Sequence, residues 1–409
     1  MPSIDLEDRQ NVNIGSLVGP LLTFEVAEES AGQPPTSAVS SAPQPASVQP
    51  TAVGPAPRRT SGERSNIATS IRKIHWPGRP AEPPSGSATI GRDTENDIVV
   101  PDLLASRHHA TLVPTDAGTE IHDAHSINGT FVNGAPVDRA LLHDGHVVTI
   151  GNVDLVFAGG TLVRRTETEA ATRIGGLGVH GVTWIIEGDK TLLDNISFAA
   201  RPGTLTAVIG PSGAGKSSLA KLIAGYTQPS AGAVTFEGHN IHSDYASLRS
   251  RIGMVPQDDV LHSQLTVSRA LGYAAELRLP PDTSKEERRQ VVAQVLEELD
   301  LTQQANSRVD KLSGGQRKRA SVAMELLTGP SLLILDEPTS GLDPALDRQV
   351  MTMLRQLADA GRVVLVVTHS LSYLDVCDQV LLLTPGGKTA FCGSPSLIGS
   401  SMGLSLIHI

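Results

Sequence analysis

A glycine-rich segment of this sequence could hold phosphate groups. Residues 210–217 have the spacing G-x-x-x-x-G-K-S, follow an apolar strand and precede an apolar helix. Glycines let backbone N–H groups curve around phosphate oxygens, while the Lys216 ammonium reaches the β- and γ-phosphates and the Ser217 hydroxyl can bind Mg²⁺. The residues predicted to bind a nucleotide here are Gly210, Pro211, Ser212, Gly213, Ala214, Gly215, Lys216, Ser217 and Ser218.

Two adjacent carboxylates could supply the chemistry that such a loop needs. Asp336 and Glu337 follow the apolar run 332–335, so they lie where the strands of α/β folds end and ligands bind. We expect Asp336 to hold Mg²⁺ and Glu337 to polarise the attacking water. A solvated acidic pair is the alternative, and the nearby phosphate loop argues against it.

A second helix start could bind an anion. Residues 312–319 predict a helix that opens after a Ser-Gly-Gly sequence, and exposed helix N-termini attract anions. This helix start and the phosphate loop cannot easily reach the same γ-phosphate within a single subunit. We therefore expect a nucleotide of a second subunit to contact Ser313, Gly314, Gly315 and Gln316.

A third group of polar residues lies in the first half of the chain. Gly91-Arg92, Ser106-Arg107 and the run 126–134 occur on successive predicted loops of a β-rich region. Arg, Ser and Asn on the loops of a rigid sandwich can form a charge-assisted cradle for a phosphate and a peptide backbone.

The elements that must position these groups change along the chain. Short strand patterns separated by turn signals fill residues 68–160 and predict a β-sandwich. From about residue 178, apolar strands such as 205–209, 332–335 and 363–367 alternate with helical patterns. The fold class is therefore multidomain: a β-sandwich followed by an α/β domain with a P-loop and a largely parallel sheet.

Length and composition limit the possible functions. The chain has 409 residues, 39% of them hydrophobic, and no apolar run long enough to cross a bilayer, so we expect two or three domains and a fragment that is itself soluble. Its 33 Lys and Arg against 43 Asp and Glu give a net charge of −10, which disfavours nucleic-acid binding. The cysteines Cys377 and Cys392 are too few for a disulfide framework and indicate a reducing compartment.

The α/β region resembles the ATP-binding-cassette (ABC) ATPases over about residues 178–395. Six motifs occur in that family's order, which is very specific. They are the phosphate loop, Gln257, Leu312 to Gln316, Asp336-Glu337, Ser340 to Asp343, and His369. The resemblance implies a RecA-like core with a helical subdomain, ATP and Mg²⁺ as cofactors, and ATP hydrolysis that rests on positioning and on charge stabilisation by Lys216 and Mg²⁺.

The same resemblance implies roles for individual residues. Gln257 would sense Mg²⁺ and the γ-phosphate and couple to a membrane partner, His369 would hold the γ-phosphate, and Asp343 would line the contact of a head-to-tail homodimer. The adenine usually stacks on an aromatic residue where this chain has Ile186. Trp184, two residues earlier, is a candidate stacker, and simple packing is the alternative.

The stretch 313–343 looks most like the G-type (White-type) exporters, in which the ATPase precedes its own membrane domain. The chain ends soon after residue 393, and residues 401–409 resemble translated sequencing adaptor. We therefore expect a truncated reading frame that lacks its membrane-spanning domain. A separate membrane subunit is the alternative.

The β-rich region resembles the forkhead-associated (FHA) domain over about residues 68–160. By that resemblance Arg92, Ser106 and Arg107 would bind phosphothreonine, and Asn128 would bind the peptide backbone. Residues that would hold the loops are Gly91, His109 and Asn133.

This region departs from the FHA pattern at one position, and candidate ligands flank it. Ile127 stands where the family often has Thr or Ser, so one supporting polar contact is missing from the pattern. The threonine-bearing segments 58–60 and 166–172 flank the module and are candidate ligands in cis or in trans. The alternative is that they are solvated linker threonines.

Together these features predict a domain order and a function. The predicted divisions are residues 1–26, a remnant of an earlier FHA-like domain; 27–67, a Pro, Ala and Ser-rich linker; 68–160, the FHA domain; 161–177, a linker; 178–395, the ABC domain; and 396–409, a tail. The leading hypothesis is the ATPase of an exporter similar to actinobacterial FHA-containing ABC exporters, at the cytoplasmic face of the plasma membrane, with a Ser/Thr protein kinase as a regulatory partner. The alternatives are a phosphopeptide scaffold that ATP dimerises, and a soluble ABC ATPase without a transport role.

Overall fold

The computed structural model describes residues 11–13, 21–23, 86–164, 176–186, 188–258 and 260–401. Near the start of the chain, β1 (Asn11–Asn13) pairs in antiparallel register with β2 (Leu21–Thr23). The predicted linker 27–67 and the candidate ligand segments 58–60 and 166–172 lie outside the described residues.

Residues 88–164 form a β-sandwich, called the β-sandwich domain below. One described sheet has the order β4-β3-β5-β6-β9 and the other β12-β11-β10-β7-β8, and all neighbours are antiparallel except β3 and β4. The strands are β3 (Ala88–Gly91), β4 (Ile98–Val99), β5 (Ala110–Thr115), β6 (Gly118–Asp123), β7 (Thr130–Val132), β8 (Ala135–Val137), β9 (Arg139–Leu142), β10 (Val147–Ile150), β11 (Val153–Ala158) and β12 (Thr161–Arg164).

Alternating apolar residues and tight turns explain this sandwich. Ile90, Ile121 and Ile150 come from different strands and are fully buried in its core. Between β7 and β8 the chain reverses at Asn133-Gly134, where φ is +50° and +81°. Two successive positive φ values give the turn a twist that matches the flanking strands, and Asn-Gly adopts them at little cost.

Residues 177–401 form an α/β domain with two described sheets. The six-stranded sheet has the order β18-β19-β20-β15-β21-β22 and is parallel except for its last pair, as the sequence predicted. A four-stranded antiparallel sheet, β14-β13-β16-β17, was not predicted. The strands are β13 (Leu177–Ile186), β14 (Lys190–Ala200), β15 (Leu205–Ile209), β16 (Ala231–Phe236), β17 (His239–Asn240), β18 (Ile252–Val255), β19 (Leu332–Asp336), β20 (Val363–Val367), β21 (Gln379–Thr384) and β22 (Lys388–Gly393).

Four helices of the α/β domain begin at residues whose side chains cap the helix start, namely Thr266, Ser284, Ser313 and Asp343. Ser284 and Ser313 each form a reciprocal capping box with the residue three positions later, which satisfies N–H groups that a helix start would leave unpaired. The helices are α1 (Lys216–Ile223), α2 (Tyr245–Leu248), α3 (Val267–Arg278), α4 (Lys285–Glu298), α5 (Gly314–Leu326), α6 (Pro344–Asp359) and α7 (Ile398–Ser401). Short 3₁₀ turns occupy Thr302–Gln304, Val309–Lys311, Leu374–Val376 and Pro395–Leu397.

The core of the α/β domain is built around three central strands. Every residue of β15, β19 and β20 is buried, because helices and the second sheet cover both faces of the parallel sheet. Helices α3, α4 and α5 pack against one another and form a helical subdomain beside this sheet. In the described part of the chain, no helix is both long and apolar enough to cross a membrane.

Part of the interface between the two domains is polar. Asn152 of the β-sandwich donates a hydrogen bond to the Thr328 carbonyl oxygen at 2.9 Å and accepts one from the Ser250 hydroxyl at 2.9 Å. The adjacent Asp154 accepts hydrogen bonds from Arg251. The β-sandwich therefore has specific contacts on the α/β domain at the start of β18 and at the end of α5.

Candidate nucleotide site and phosphate cradle

The phosphate loop, residues Gly210–Ser217, lies between β15 and α1. Three of its glycines have positive φ: 150° at Gly210, 80° at Gly213 and 89° at Gly215. A Cβ on Gly210 would lie 2.4 Å from the Leu383 carbonyl oxygen, whereas a Cβ on Gly213 would meet no atom within 4 Å. The loop is thus packed closely at its base and open at its tip, where Ser212 and Gly213 are exposed.

Lys216 points back into this loop. Its side chain is buried, and Nζ donates hydrogen bonds to the carbonyl oxygens of Gly210 at 2.9 Å and Pro211 at 3.1 Å. Burial lowers the pKa of Lys216, and the charges of Glu337 and Asp336 oppose this shift. The ammonium therefore lies within the loop that would surround the phosphates.

Two predicted metal ligands are in direct contact. The Ser217 hydroxyl donates a hydrogen bond to Oδ1 of Asp336 at 2.9 Å, although the two residues are 119 positions apart. Burial raises the pKa of Asp336 above its ordinary value, although the hydrogen bond from Ser217 acts in the opposite direction. A hydroxyl and a carboxylate at this distance are hard oxygen donors, which is the chemistry that Mg²⁺ prefers.

Glu337 is the centre of the predicted catalytic group. Nε2 of Gln257 donates to its Oε2 at 3.3 Å, and Nδ1 of His369 lies 3.5 Å from the same oxygen. Its own backbone has a positive φ of 46°, which is uncommon for a residue with a side chain and recurs at functional sites. The structure thus brings Lys216, Asp336, Glu337, Gln257 and His369 to one edge of the parallel sheet.

The Ser-Gly-Gly-Gln segment, residues 313–316, makes its contacts within its own helix start and with Leu342. Ser313 and Gln316 bond each other in the capping box at the start of α5, and a Cβ on Gly314 would lie 2.6 Å from Leu342. The Lys318 ammonium on the same helix donates to the Gln257 carbonyl oxygen at 2.9 Å. These contacts connect α5 to the loop that carries Gln257, and the predicted contact with a second subunit's nucleotide stays a prediction.

Two further predicted residues have local partners. Oδ1 of Asp343 accepts hydrogen bonds from the backbone N–H groups of Ala345 and Leu346, both at 3.0 Å, and so caps α6. Trp184 is half-buried and packs against the apolar cluster that includes Ala214 of the phosphate loop. Register shifts on both sides of Trp184 break the simple two-residue alternation, and Ile186 is partly exposed. Stacking of Trp184 on a base stays a prediction.

The phosphate cradle consists of Arg92, Ser106, Arg107 and Asn128. Nε of Arg92 donates to the Ala105 carbonyl oxygen at 3.2 Å, and the amide of Asn128 donates to the Leu104 carbonyl oxygen at 2.7 Å. The buried Ser106 hydroxyl accepts from the Ile127 N–H at 3.3 Å. The four cradle residues are therefore connected through the loop 104–107.

Neighbouring residues hold these loops in place. A Cβ on Gly91 would lie 2.1 Å from the Arg107 carbonyl oxygen, so this position requires glycine. Nδ1 of the buried His109 accepts from the Ser106 N–H at 3.0 Å, and burial lowers the pKa of His109. The amide of Asn96, which the sequence analysis missed, donates to the Arg107 carbonyl oxygen at 2.7 Å. Asn133 accepts from the Val147 N–H at 2.9 Å.

Comparisons with known proteins identify both domains. Residues 88–151 match the model of the FHA domain, and residues 193–340 match the model of the ABC transporter family. The Nod factor export ATP-binding protein I of Burkholderia orbicola is 34% identical over 54% of this chain and 72% of that protein. This chain belongs to the ABC transporter family. It is an FHA domain followed by an ABC-type ATPase domain.

Other relatives are longer than this chain. An ABC transporter ATP-binding/permease protein of Mycobacterium tuberculosis is 61% identical over 98% of this chain, which spans 54% of that protein's length. ABC transporter G family member 22 of Arabidopsis thaliana is 40% identical over 53% of the chain and 30% of that protein. The solved structure of cbiO1 from Clostridium perfringens, part of an ABC transporter complex, matches 55% of this chain and 90% of its own with a TM-score of 0.50 and 29% identity.

Proposed function

We propose that this chain is the ATP-hydrolysing part of a G-type ABC exporter and that its FHA domain makes the exporter responsive to threonine phosphorylation. The observation that carries the proposal is the meeting of Lys216, Ser217, Asp336, Glu337 and Gln257 at one sheet edge. The curated relatives named as ATP-binding/permease protein and as G family members support the exporter assignment.

The described geometry suits ATP and Mg²⁺. The ligands of the metal would be Ser217, Asp336 and Gln257, and bound Mg²⁺ would neutralise charge on the phosphate oxygens. Lys216 would exchange its two loop carbonyls for phosphate oxygens. Glu337 would orient the attacking water, since Gln257 and His369 both lie against its carboxylate.

The remaining assignments complete this proposal. Ser313 to Gln316 would contact the nucleotide of a second copy, with Asp343 at the contact, so that the ATPase works as a head-to-tail homodimer. Gln257 would couple the site to a membrane domain at the cytoplasmic face of the membrane. The predicted boundaries, 68–160 for the FHA domain and 178–395 for the ATPase domain, belong to the same proposal.

The FHA assignment rests on the cradle. Arg92 and Arg107 supply cationic donors, while Ser106 and Asn128 supply neutral ones at the same loop edge. This combination suits a phosphate group attached to a peptide backbone. The partners would be a phosphothreonine peptide and the Ser/Thr protein kinase that produces it.

The test of the catalytic proposal is steady-state ATP hydrolysis by the full chain. We expect Glu337→Gln to lower kcat at least about 100-fold while binding of a fluorescent ATP analogue is retained, because general-base and water-positioning groups contribute about that much. Glu297→Gln, an exposed carboxylate on α4, is the matched control and should leave kcat unchanged. Equal kcat in wild type and Glu337→Gln would overturn the proposed role of Glu337.

A further inference from the structure

Two carboxylates of the ATPase domain lie in the phosphate cradle of the FHA domain. Oδ2 of Asp282 accepts a hydrogen bond from the backbone N–H of Arg107 at 2.6 Å, and Oδ1 lies 3.5 Å from Nη2 of Arg92. Glu287 forms a close ion pair with Nη1 of Arg92, and its Oε2 lies 3.5 Å from Nη2 of Arg107. Both cradle arginines are therefore engaged by residues 175 to 195 positions away in sequence.

The carboxylates reproduce the charge and the acceptors of a phosphate. A phosphothreonine carries about −1.5 to −2 charges and three acceptor oxygens near neutral pH. Asp282 and Glu287 together present two negative charges and four acceptor oxygens to the same arginines. Burial raises the pKa of Glu287, while hydrogen bonds from Ser284 and the charge of Arg92 lower it to a net value below the ordinary one. Glu287 is therefore ionised in this contact at neutral pH.

An apolar contact places the cradle at this position. Leu104, on the loop just before the cradle residue Ser106, is 2% exposed and belongs to the large apolar cluster of the ATPase domain. Leu103 packs against the same cluster. The side chain of Arg92, which contacts both carboxylates, is only 11% exposed. A phosphopeptide cannot reach this arginine unless the cradle separates from the start of α4.

We infer that Asp282 and Glu287 act as a built-in ligand of the FHA cradle, so that the cradle binds either its own ATPase domain or a phosphothreonine peptide. The inference rests on the proposed phosphothreonine function of the cradle. Binding of the peptide then releases the 280–287 segment at the start of α4. By reciprocity, a change in the two ATPase-domain carboxylates that weakens the internal contact strengthens peptide binding.

The test uses the unphosphorylated full chain and one neutralised variant, Asp282→Asn/Glu287→Gln. The Gln side chain retains an acceptor for the Ser284 N–H, so the capping box of α4 is preserved. Glu286→Gln is the matched control, because Glu286 is on the same turn and, among the described residues, forms its ion pair with Arg289. If the double variant fails to fold, Asp282→Asn alone replaces it, since Asp282 caps no helix.

Two readouts separate the internal contact from peptide binding. Hydrogen exchange at the Arg107 amide and over residues 280–288 measures the contact without any peptide. Fluorescence anisotropy measures binding of a labelled peptide of residues 162–176 phosphorylated on Thr166, Thr168 and Thr172, with the unphosphorylated peptide as its control. We expect faster exchange in the double variant and at least about fivefold tighter phosphopeptide binding.

The outcomes distinguish this inference from the proposed function. Unchanged exchange and unchanged peptide affinity in the double variant would overturn the inference and leave the phosphothreonine function standing. Faster exchange with no phosphopeptide binding in any variant would confirm the internal contact and refute the phosphothreonine function. Arg92→Ala should lose both the internal contact and the peptide.

Discussion

Arg251 of the ATPase domain and Asp154 of the FHA domain form a two-pronged ion pair across the domain interface. Nη2 of Arg251 lies 2.6 Å from Oδ1 of Asp154, and Nη1 lies 3.1 Å from Oδ2. The side chains are 3% and 12% exposed, respectively. Burial raises the pKa of Asp154. The hydrogen bonds from His239 and Arg251 and the charge of Arg251 lower it by more, so the pKa of Asp154 lies well below its usual range. The two domains therefore meet at a charged contact that water hardly reaches.

The first prediction concerns this ion pair. We expect Asp154→Ala to lower the free energy of unfolding by about 3–5 kcal/mol, because it leaves a buried guanidinium with Glu237 as its remaining ion-pair partner. Urea denaturation of the full chain measures the change. Asp194→Ala is the control: its ion pair with Lys388 is exposed and should contribute about 1 kcal/mol or less. Equal losses in the two variants would contradict the role of the buried pair.

A second prediction concerns pH. His239 lies 3.7 Å from Asp154 and 3.5 Å from Asp244, and the Asp154 carboxylate raises the pKa of His239 against the effect of burial. A histidine with a raised pKa in the folded state stabilises fully below its unfolded pKa of 6.5, and the stabilisation is lost as pH rises through the folded value. We expect the urea midpoint to fall as the pH is raised above 6.5.

The check on this pH dependence is a pair of histidine variants. His239→Gln should flatten the fall of the urea midpoint, because no titrating group then remains between the two carboxylates. His180→Gln, at an exposed position on β13, should leave the fall unchanged. An identical pH profile in wild type and His239→Gln would rule out this histidine as the cause.

A third prediction compares two glycines of the phosphate loop. Gly210→Ala places a methyl group 2.4 Å from the Leu383 carbonyl oxygen, so we expect a loss of stability beyond the strain of its positive φ. Gly213→Ala meets no atom and should cost only the left-handed strain of about 1–2 kcal/mol. Urea denaturation should rank Gly210→Ala as the more destabilised, and a reversed order would contradict the packing at the base of the loop.

A fourth prediction tests the proposed composite site. Lys216→Ala removes the phosphate-loop ammonium and Ser313→Ala removes the helix-start hydroxyl, so each purified variant should hydrolyse ATP slowly. When the two are mixed, a mixed dimer has one complete site, made of Lys216 from the second variant and Ser313 from the first. We expect ATPase activity to recover on mixing. Additive activities of the two variants would refute a nucleotide site shared between copies.

Local patterns explain which parts of the fold were predictable. The strands 205–209 and 363–367 were predicted with their observed bounds, because the first has four apolar residues out of five and the second has five, and such runs are buried between covering layers. The position of Asp336 at a strand end followed from the rule that ligands bind where the strands of α/β folds end, and its contact with Ser217 is a structural observation. The antiparallel sheet was missed, because β13 carries irregularities around Trp184 that disturb its alternation.

Contacts between the domains left no local trace in the sequence. Asp282 and Glu287 resemble an ordinary acidic helix start, and Glu287 does close the capping box of α4. Arg251 and Asp154 are 97 residues apart and belong to different domains. The side chain of Ile127 is exposed and its backbone N–H donates to the Ser106 hydroxyl, so the missing polar side-chain contact at this position stays a prediction.

The FHA domain touches two parts of the ATPase at once. Asp154 holds it beside the parallel sheet through Arg251, just before β18, while the cradle holds it at the start of α4 in the helical subdomain. The FHA domain therefore bridges the parallel sheet and the helical subdomain. A movement of α4 relative to the sheet would break one of these two contacts, and under the proposed phosphopeptide binding the contact at the cradle is the one for which a phosphate competes.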